Sequence, residues 1–299
     1  MTARIGDLVQ NQRILELIAA GQKRIQETQA AVASGKTTER FDAIADQAAL
    51  LVSVRHAEAM VTTRITRNEE LLGRLNLMES VVGRLSELAE RARVLLVQRL
   101  NGSTGADLPL VQEVDAFVKE IEAQLNLRFS GLYLFAGSRA DVAPVQMPDP
   151  PPTAADPSLY YRGDEVVLSA PVEPGVELAY GVTAAEEPFA RLIGALGSAR
   201  QAHLDNDENA LGLALNELGR AIEQLADLRG RIGADAARLQ RILDAQRGEQ
   251  VYLREIISGI EDTDVPTALT RLARDQMVLE ASFVTISRLS RLTLTEYLR

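Results

Sequence analysis

The sequence predicts a mainly α-helical fold: an elongated coiled-coil or helical bundle formed by N- and C-terminal arms, with a small β-rich insertion between them. Three observations carry that prediction. Apolar residues recur every seven positions over two long segments, nine of the 11 prolines fall between Pro144 and Pro188, and the chain has no Trp and only 6 Tyr and 6 Phe. Seven-residue rows are the signature of helices that meet along their length. Proline at that density ends helices, and a core carried by Leu, Ile, Val and Ala suits long helical seams.

The first element is expected over residues 4–33, where Ile5, Leu8, Leu15, Ile18 and Ile25 give a helical face. An amphipathic stripe must be buried somewhere. The simplest partner is the matching face in 268–290, formed by Leu269, Leu272, Gln276, Leu279, Phe283, Ile286 and Leu289, and the next is a neighbouring copy of the protein. Residues 1–40 with 263–299 therefore read as a terminal coiled-coil zone. From Ile44 to Leu100 there is no proline, and Val54, Val61, Asn68, Leu75, Val82, Ala89 and Leu96 repeat by seven. A helix of that length reaches about 80 Å at 1.5 Å per residue. It stops at NGSTGADLP, 101–109, whose Gly and Pro residues are helix breakers. A further helix follows from about Leu110 to Leu127, with Val114, Phe117, Val118, Ile121 and Leu125 on one face.

The stretch LNLRFSGLYLFAGSRAD, 125–141, then gathers Phe129, Tyr133 and Phe135 with Gly131 and Gly137. The aromatics read as an apolar plug at the end of the helices, and the glycines as turns that a side chain would obstruct. Residues 138–187 alternate Val, Leu and Tyr between Gly and Pro, which reads as short strands in an outer insertion. Beyond them, Leu218, Leu225, Ile232, Leu239, Gln246, Leu253 and Ile260 are spaced by seven, with Ile222, Arg229, Ala236, Leu243, Gln250 and Ile257 as a companion row. Residues 41–137 with 188–262 thus form a helical rod. Polar members of the seam, such as Gln246, set register at some loss of stability.

Charge and composition exclude several function classes. With 32 basic against 42 acidic residues, net charge −10, and no Lys/Arg cluster, the chain lacks the electrostatic footprint of a nucleic-acid binder. Without cysteine it has no disulfide, thiolate metal site or cysteine nucleophile. No apolar run approaches the roughly 18 residues of a spanning helix, and MTARIGDLVQNQ lacks the apolar core of a secretory signal. No membrane insertion is expected, and export would follow a route that reads no cleaved signal.

Catalytic chemistry is not visible. His56 and His203 are far apart in polar helical contexts and read as solvent-exposed; HAE at 56–58 lacks the spacing of a zinc helix. GRIGAD, 230–235, has no Lys-Ser/Thr and lies within the heptad run. EDTD, 261–264, lacks the later Gly and Glu of a calcium loop and reads as a helix cap before Val265 and Pro266. The expectation is a structural protein: no enzyme, no catalytic residue, no cofactor and no metal.

Four collinear segments carry a family resemblance. RIQETQAAVASGKTTERFDAIADQAALLVS, 24–53, contains Ser34, Gly35 and Lys36 after a helix; RARVLLVQRLNGS, 91–103, has Arg93, Leu95, Val97, Gln98, Asn101 and Gly102 in place. The third is the run Gly131, Tyr133, Phe135, Gly137. The last, 258–298, has Ser258, Ile260, Glu261, Asp262, Asp264, Gln276, Leu279, Ala281 and Ser282 before a Leu-rich tail. Together they resemble the bacterial flagellin superfamily, and within it the hook-associated branch that joins hook to filament, over roughly the first 140 and last 110 residues. The sequence departs from the family at Phe41–Ile44, where the family has acidic-acidic-proline, and at Val94, where flagellins sensed by animals carry Glu.

The resemblance implies an extracellular structural subunit of the flagellum that polymerises through its terminal helices. Their stripes would stay unpaired until assembly covers them, at Ile5, Leu8, Leu15, Ile18 and Ile25 with Leu272, Leu279, Phe283, Ile286 and Leu289. The implied partners are other copies of itself, neighbouring axial proteins (a hook-associated protein and flagellin) and an export chaperone. A filament flagellin is the alternative within the family. A coiled-coil adaptor or secreted effector unrelated to flagella is the alternative outside it.

Overall fold

The computed structural model describes residues 2–37, 45–101 and 109–297. Among the described residues there are six α-helices and two small antiparallel sheets, so the chain is mainly α with helical arms and a small β insertion. They divide into two compact units, Met1–Val61 with Gly248–Arg299, and Thr62–Arg247.

The first unit pairs α1 (Thr2–Ser34) with α6 (Val265–Tyr297) and includes the first turns of α2 (Ala45–Leu100) and the last turns of α5 (Glu208–Glu261). The break before α6 has a local cause. Asp264 accepts from the Thr267 hydroxyl at 2.6 Å, and Pro266 stands in the first turn, where a missing N–H costs nothing. In this unit Arg254 of α5 also pairs with Glu58 of α2 at 2.9 Å.

In the second unit α2 and α5 run antiparallel, tied by Glu69 to Arg247 at 2.6 Å and Glu79 to Arg229 at 3.0 Å. Every residue of the seven-residue row in α2, from Val54 to Leu96, is buried. In α5 the main row is buried from Leu218 to Gln246, but its companion row differs from expectation. Arg229 is exposed, and the buried companions are Ala221 and Leu228, then Ala236 and Leu243. The companions follow the main row by three residues before Ile232 and by four after it. A helix of 3.6 residues per turn drifts against a strict repeat of seven, and the seam shifts by one residue where the drift accumulates.

Helix α3 (Leu110–Leu125) buries Leu110, Val114, Phe117, Val118, Ile121 and Leu125, and lies against α4 (Glu187–Leu204), where Arg200 holds Asp115 at 2.9 Å. Two short strands follow α3, β1 (Arg128–Phe129) and β2 (Leu132–Tyr133). The insertion is less strand-rich than its alternation suggests. Residues 157–168 supply a 3-10 turn at Pro157–Leu159 and a single bridge from Tyr161 to Val145, and the paired strands are β3 (Ser169–Glu173) and β4 (Val176–Ala179). Its proline-rich segment lies on a small-residue face of α4, where the Ser198 hydroxyl donates to the Thr153 carbonyl at 2.8 Å.

The hairpin explains the polar seam. Its ladder has a bulge between Pro171 and Glu173, which leaves Val172 out of the strand register. The Asn68 and Gln246 amides both donate to the Val172 carbonyl at 2.9 Å, and Asn68 donates to Gln246 at 3.0 Å. Both residues are buried, so these two breaks in the apolar rows form a socket for one backbone oxygen.

Candidate assembly interface

The α1 and α6 pair is built on a 3-4 spacing. On α1 the covered positions are Ile18, Gly21, Ile25, Thr28, Ala31 and Val32; on α6 they are Ala268, Leu272, Asp275, Leu279, Ser282 and Ile286. Gly21 admits the Leu279 side chain, whose Cδ1 would stand 3.8 Å from a Cβ at position 21. Arg24 and Asp275 flank the same seam at 3.9 Å. The terminal stripes therefore lie against each other within one chain, the pairing that their matching faces predict.

Of the residues expected at the interface, Ile18 and Ile25 are buried, and Leu272, Leu279 and Ile286 are half-buried in this seam. Leu15 and Phe283 each fall one residue off the 3-4 row and are exposed, at 62% and 48%. The side chains of Ile5, Leu8 and Leu289 lie outside the described residues. Beside Phe283, α6 also exposes Leu269, Met277, Val278 and Val284. The helix thus has one apolar stripe against α1; by helical spacing Leu269, Met277 and Val284 share the opposite face, and Phe283 and Val278 flank the seam.

A joint closes the pair at the α1 C-terminus. Gly35, with φ 71°, lets the chain turn, and Lys36 bridges Asp262 across an antiparallel contact. The Thr37 N–H donates to the Glu261 carbonyl at 2.6 Å, and the Thr263 N–H to the Gly35 carbonyl at 2.8 Å. Lys36 Nζ donates to Glu261 Oε2 at 2.5 Å, and Arg55 pairs with its other oxygen. The Lys36 hydrogen bond and then the Arg55 charge hold the buried Glu261 carboxyl below the usual range, against the opposing effect of burial. Lys36 and Glu261 belong to two different segments of the family resemblance. Neither stands out as a site residue in the sequence, and the signal that could have found them is that both segments place unlike charges beside a loop.

The knot after α3 belongs to the second unit. Phe129 is half-buried, with its ring edge 3.3 Å from where a Cβ on Gly73 of α2 would stand. Ser130 and Gly131, at φ 50° and 84°, make the two-residue turn between β1 and β2. Tyr133 is half-buried under the Arg128 guanidinium, 4.2 Å from the ring centre. Phe135 is fully buried, edge-on to Phe189 of α4 at 5.9 Å. Gly137 has φ 68°, and a Cβ there would stand 2.1 Å from Asp164 Oδ1. That carboxylate accepts from the Ser138 hydroxyl and N–H, which lower its pKa. The structure therefore brings Phe135 into the core, leaves Phe129 and Tyr133 at its margin, and uses both glycines as turns.

One histidine differs from its sequence reading. His56 is exposed, but His203 is half-buried and accepts a hydrogen bond from Arg99 at 3.0 Å. Helical periodicity around His203 could not reveal a partner 104 residues away.

Comparison with known proteins places these features. Residues 215–298, most of α5 with α6, match the family model of the bacterial flagellin C-terminal helical region. No curated protein matches the chain by sequence. Among solved structures, the fold is similar to that of a Vibrio parahaemolyticus protein assigned as a flagellar hook-associated protein, with TM-score 0.62 and 16% identity, covering 71% of this chain and 96% of that one. It is similar to Bacillus cereus FlgL, with TM-score 0.56 and 17% identity, covering 69% and 99%. The flagellar hook-associated protein-3 of Legionella pneumophila gives TM-score 0.54 and 12% identity, covering 70% and 98%. The chain therefore has a flagellin-type C-terminal arm on a fold shared with hook-associated proteins.

Proposed function

From a flagellin-type arm on a hook-associated fold, we propose that this chain is a structural subunit of the bacterial flagellum that joins hook to filament. The observation that carries the reading is coverage: the fold accounts for 96% to 99% of the hook-associated proteins it resembles. On this reading the terminal zone, 1–40 with 263–299, mediates assembly, 41–137 with 188–262 is the rod, and 138–187 faces outward. The partners are copies of itself, a hook-associated protein on one side and flagellin on the other, with an export chaperone before secretion to the extracellular flagellum. The role is structural rather than catalytic. Among the described residues no helix is long and apolar enough to cross a membrane, which accords with it.

Electron microscopy of a deletion strain tests the proposal. The expected result is intact hooks with filaments shed into the medium, and reattachment when the gene is restored. Hooks that keep a complete junction yet carry no filament would reassign the chain as filament flagellin. Unchanged flagella would move it to a non-flagellar adaptor or effector.

A further inference from the structure

At the end of α2 a buried guanidinium is held by neutral groups. Arg99 is 6% exposed, and among the described residues no carboxylate pairs with it. Its Nε donates to Nδ1 of His203 at 3.0 Å, and its Nη2 to Oδ1 of Asn206 at 3.4 Å. A guanidinium has only donors and keeps its charge, so His203 Nδ1 must be an acceptor. The imidazole is therefore neutral, with its proton on Nε2.

The two acceptors sit on one short turn. His203 lies in the last turn of α4, and Asn206 adopts φ 53° just beyond it. The Asn206 N–H donates to the His203 carbonyl at 3.2 Å and the Asp207 N–H to the Ala202 carbonyl at 2.9 Å, the paired closure of a left-handed helix cap. Arg99 thus grips the cap by a side chain before the left-handed residue and by that residue itself.

We propose that Arg99, His203 and Asn206 form an acid-sensitive latch, which ties the end of α2 to the turn between α4 and α5 and opens when His203 takes up a proton. Protonation turns Nδ1 from acceptor to donor and sets two cations in contact. Asn206 then holds Arg99 alone, through the longer of the two hydrogen bonds.

The surrounding charges do not remove the conflict. Asp205 accepts from Gln201 at 2.9 Å, and Asp207 caps α5 through the N–H groups of Asn209 and Ala210, both at 3.0 Å. On α3, Asp115 is held by Arg200 of α4, and Glu208 at the start of α5 is exposed. The carbonyls at the end of α4 favour a cation, but that attraction is a fraction of the repulsion between two unit charges in contact. Burial first, and then Arg99, accordingly hold the His203 pKa below its ordinary value. With the folded pKa depressed, the stabilisation is complete above the unfolded pKa of about 6.5 and is lost as pH falls from there through the folded value.

The latch does not depend on the assembly reading. The chain has two histidines, so the His203 ring signal is identified by its loss in His203→Gln. Histidine ring signals of the full chain are followed by NMR over pH in the wild type and in Arg99→Gln, and melting midpoints in the wild type and in His203→Gln. The latch requires His203 to titrate at lower pH in the folded chain than in the urea-unfolded chain, and Arg99→Gln to raise its titration point in the folded chain. From about pH 7.5 to 5.5 the wild-type midpoint should also fall further than that of His203→Gln. A His203 that titrates no lower in the folded chain than in the unfolded one, or that Arg99→Gln leaves unmoved, overturns the proposal, as do equal falls in the two midpoints. Should His203→Gln fail to fold, loss of the other signal in His56→Gln identifies it and the wild-type titration decides.

Discussion

Gly197 and Gly230 lie inside helices, and both would gain about 1 kcal/mol from alanine on intrinsic propensity alone. Their surroundings set opposite outcomes. A Cβ on Gly230 meets nothing within 4 Å, so Gly230→Ala should stabilise the isolated protein by close to that amount. On Gly197 the same atom would stand 2.1 Å from the Pro152 carbonyl oxygen, which is backbone and cannot rotate away. Overpacking of that kind costs about 1–3 kcal/mol, so Gly197→Ala should lose up to about 2 kcal/mol net despite its propensity. Urea denaturation of the two variants checks both signs; a stabilised Gly197→Ala would mean that the proline-rich segment does not rest on α4. The sequence shows both glycines equally. What separates them is a contact between segments about 45 residues apart, as with Ser198 and Thr153, and no local period encodes that contact.

At the scale of elements, the helices are legible in the sequence because burial and spacing are the same fact: the α2 row from Val54 to Leu96 is buried without exception. The α5 companion row departs from its reading at Arg229 because a strict seven does not hold across a seam that shifts at Ile232. Asn68 and Gln246 are visible as polar breaks, but their purpose is not, since the oxygen they bind belongs to a hairpin bulge. Two accounts of these residues differ in sign. If they only set register, leucine at either position should stabilise the seam. If they satisfy Val172, Asn68→Leu or Gln246→Leu removes one donor to a buried carbonyl and breaks the amide pair, at about 1–3 kcal/mol each. Because they share an acceptor and bond each other, the double variant should lose less than the sum, by on the order of 1 kcal/mol. A denaturation cycle over the four proteins measures this coupling, and stabilised single variants would discard the socket account.

At the scale of the whole molecule, the two units differ in how well each covers its apolar residues. The buried hydrophobics of the first unit, among the described residues, are Ile18, Ile25, Leu51, Val54, Val61 and Ala268. More than twice as many large apolar side chains in that unit are more than a third exposed, including Met277, Val278, Phe283 and Val284. Each such side chain contributes roughly 1.5–3 kcal/mol when fully buried, so on the proposed reading an assembly partner that covers them gains that free energy. The terminal amphipathicity that the sequence shows is therefore only half used by the contact between α1 and α6. Met277 and Val284, 65% and 51% exposed and seven residues apart, lie along the stripe of α6 opposite the seam. Replacing both by Glu should leave the melting midpoint of the isolated protein almost unchanged, since exposed substitutions typically cost under about 0.5 kcal/mol. The same variant should fail to restore filaments in the deletion strain, because assembly would bury two unpaired charges. A lowered midpoint would place these side chains in packing within the chain; restored filaments with an unchanged midpoint would show that assembly does not use this stripe.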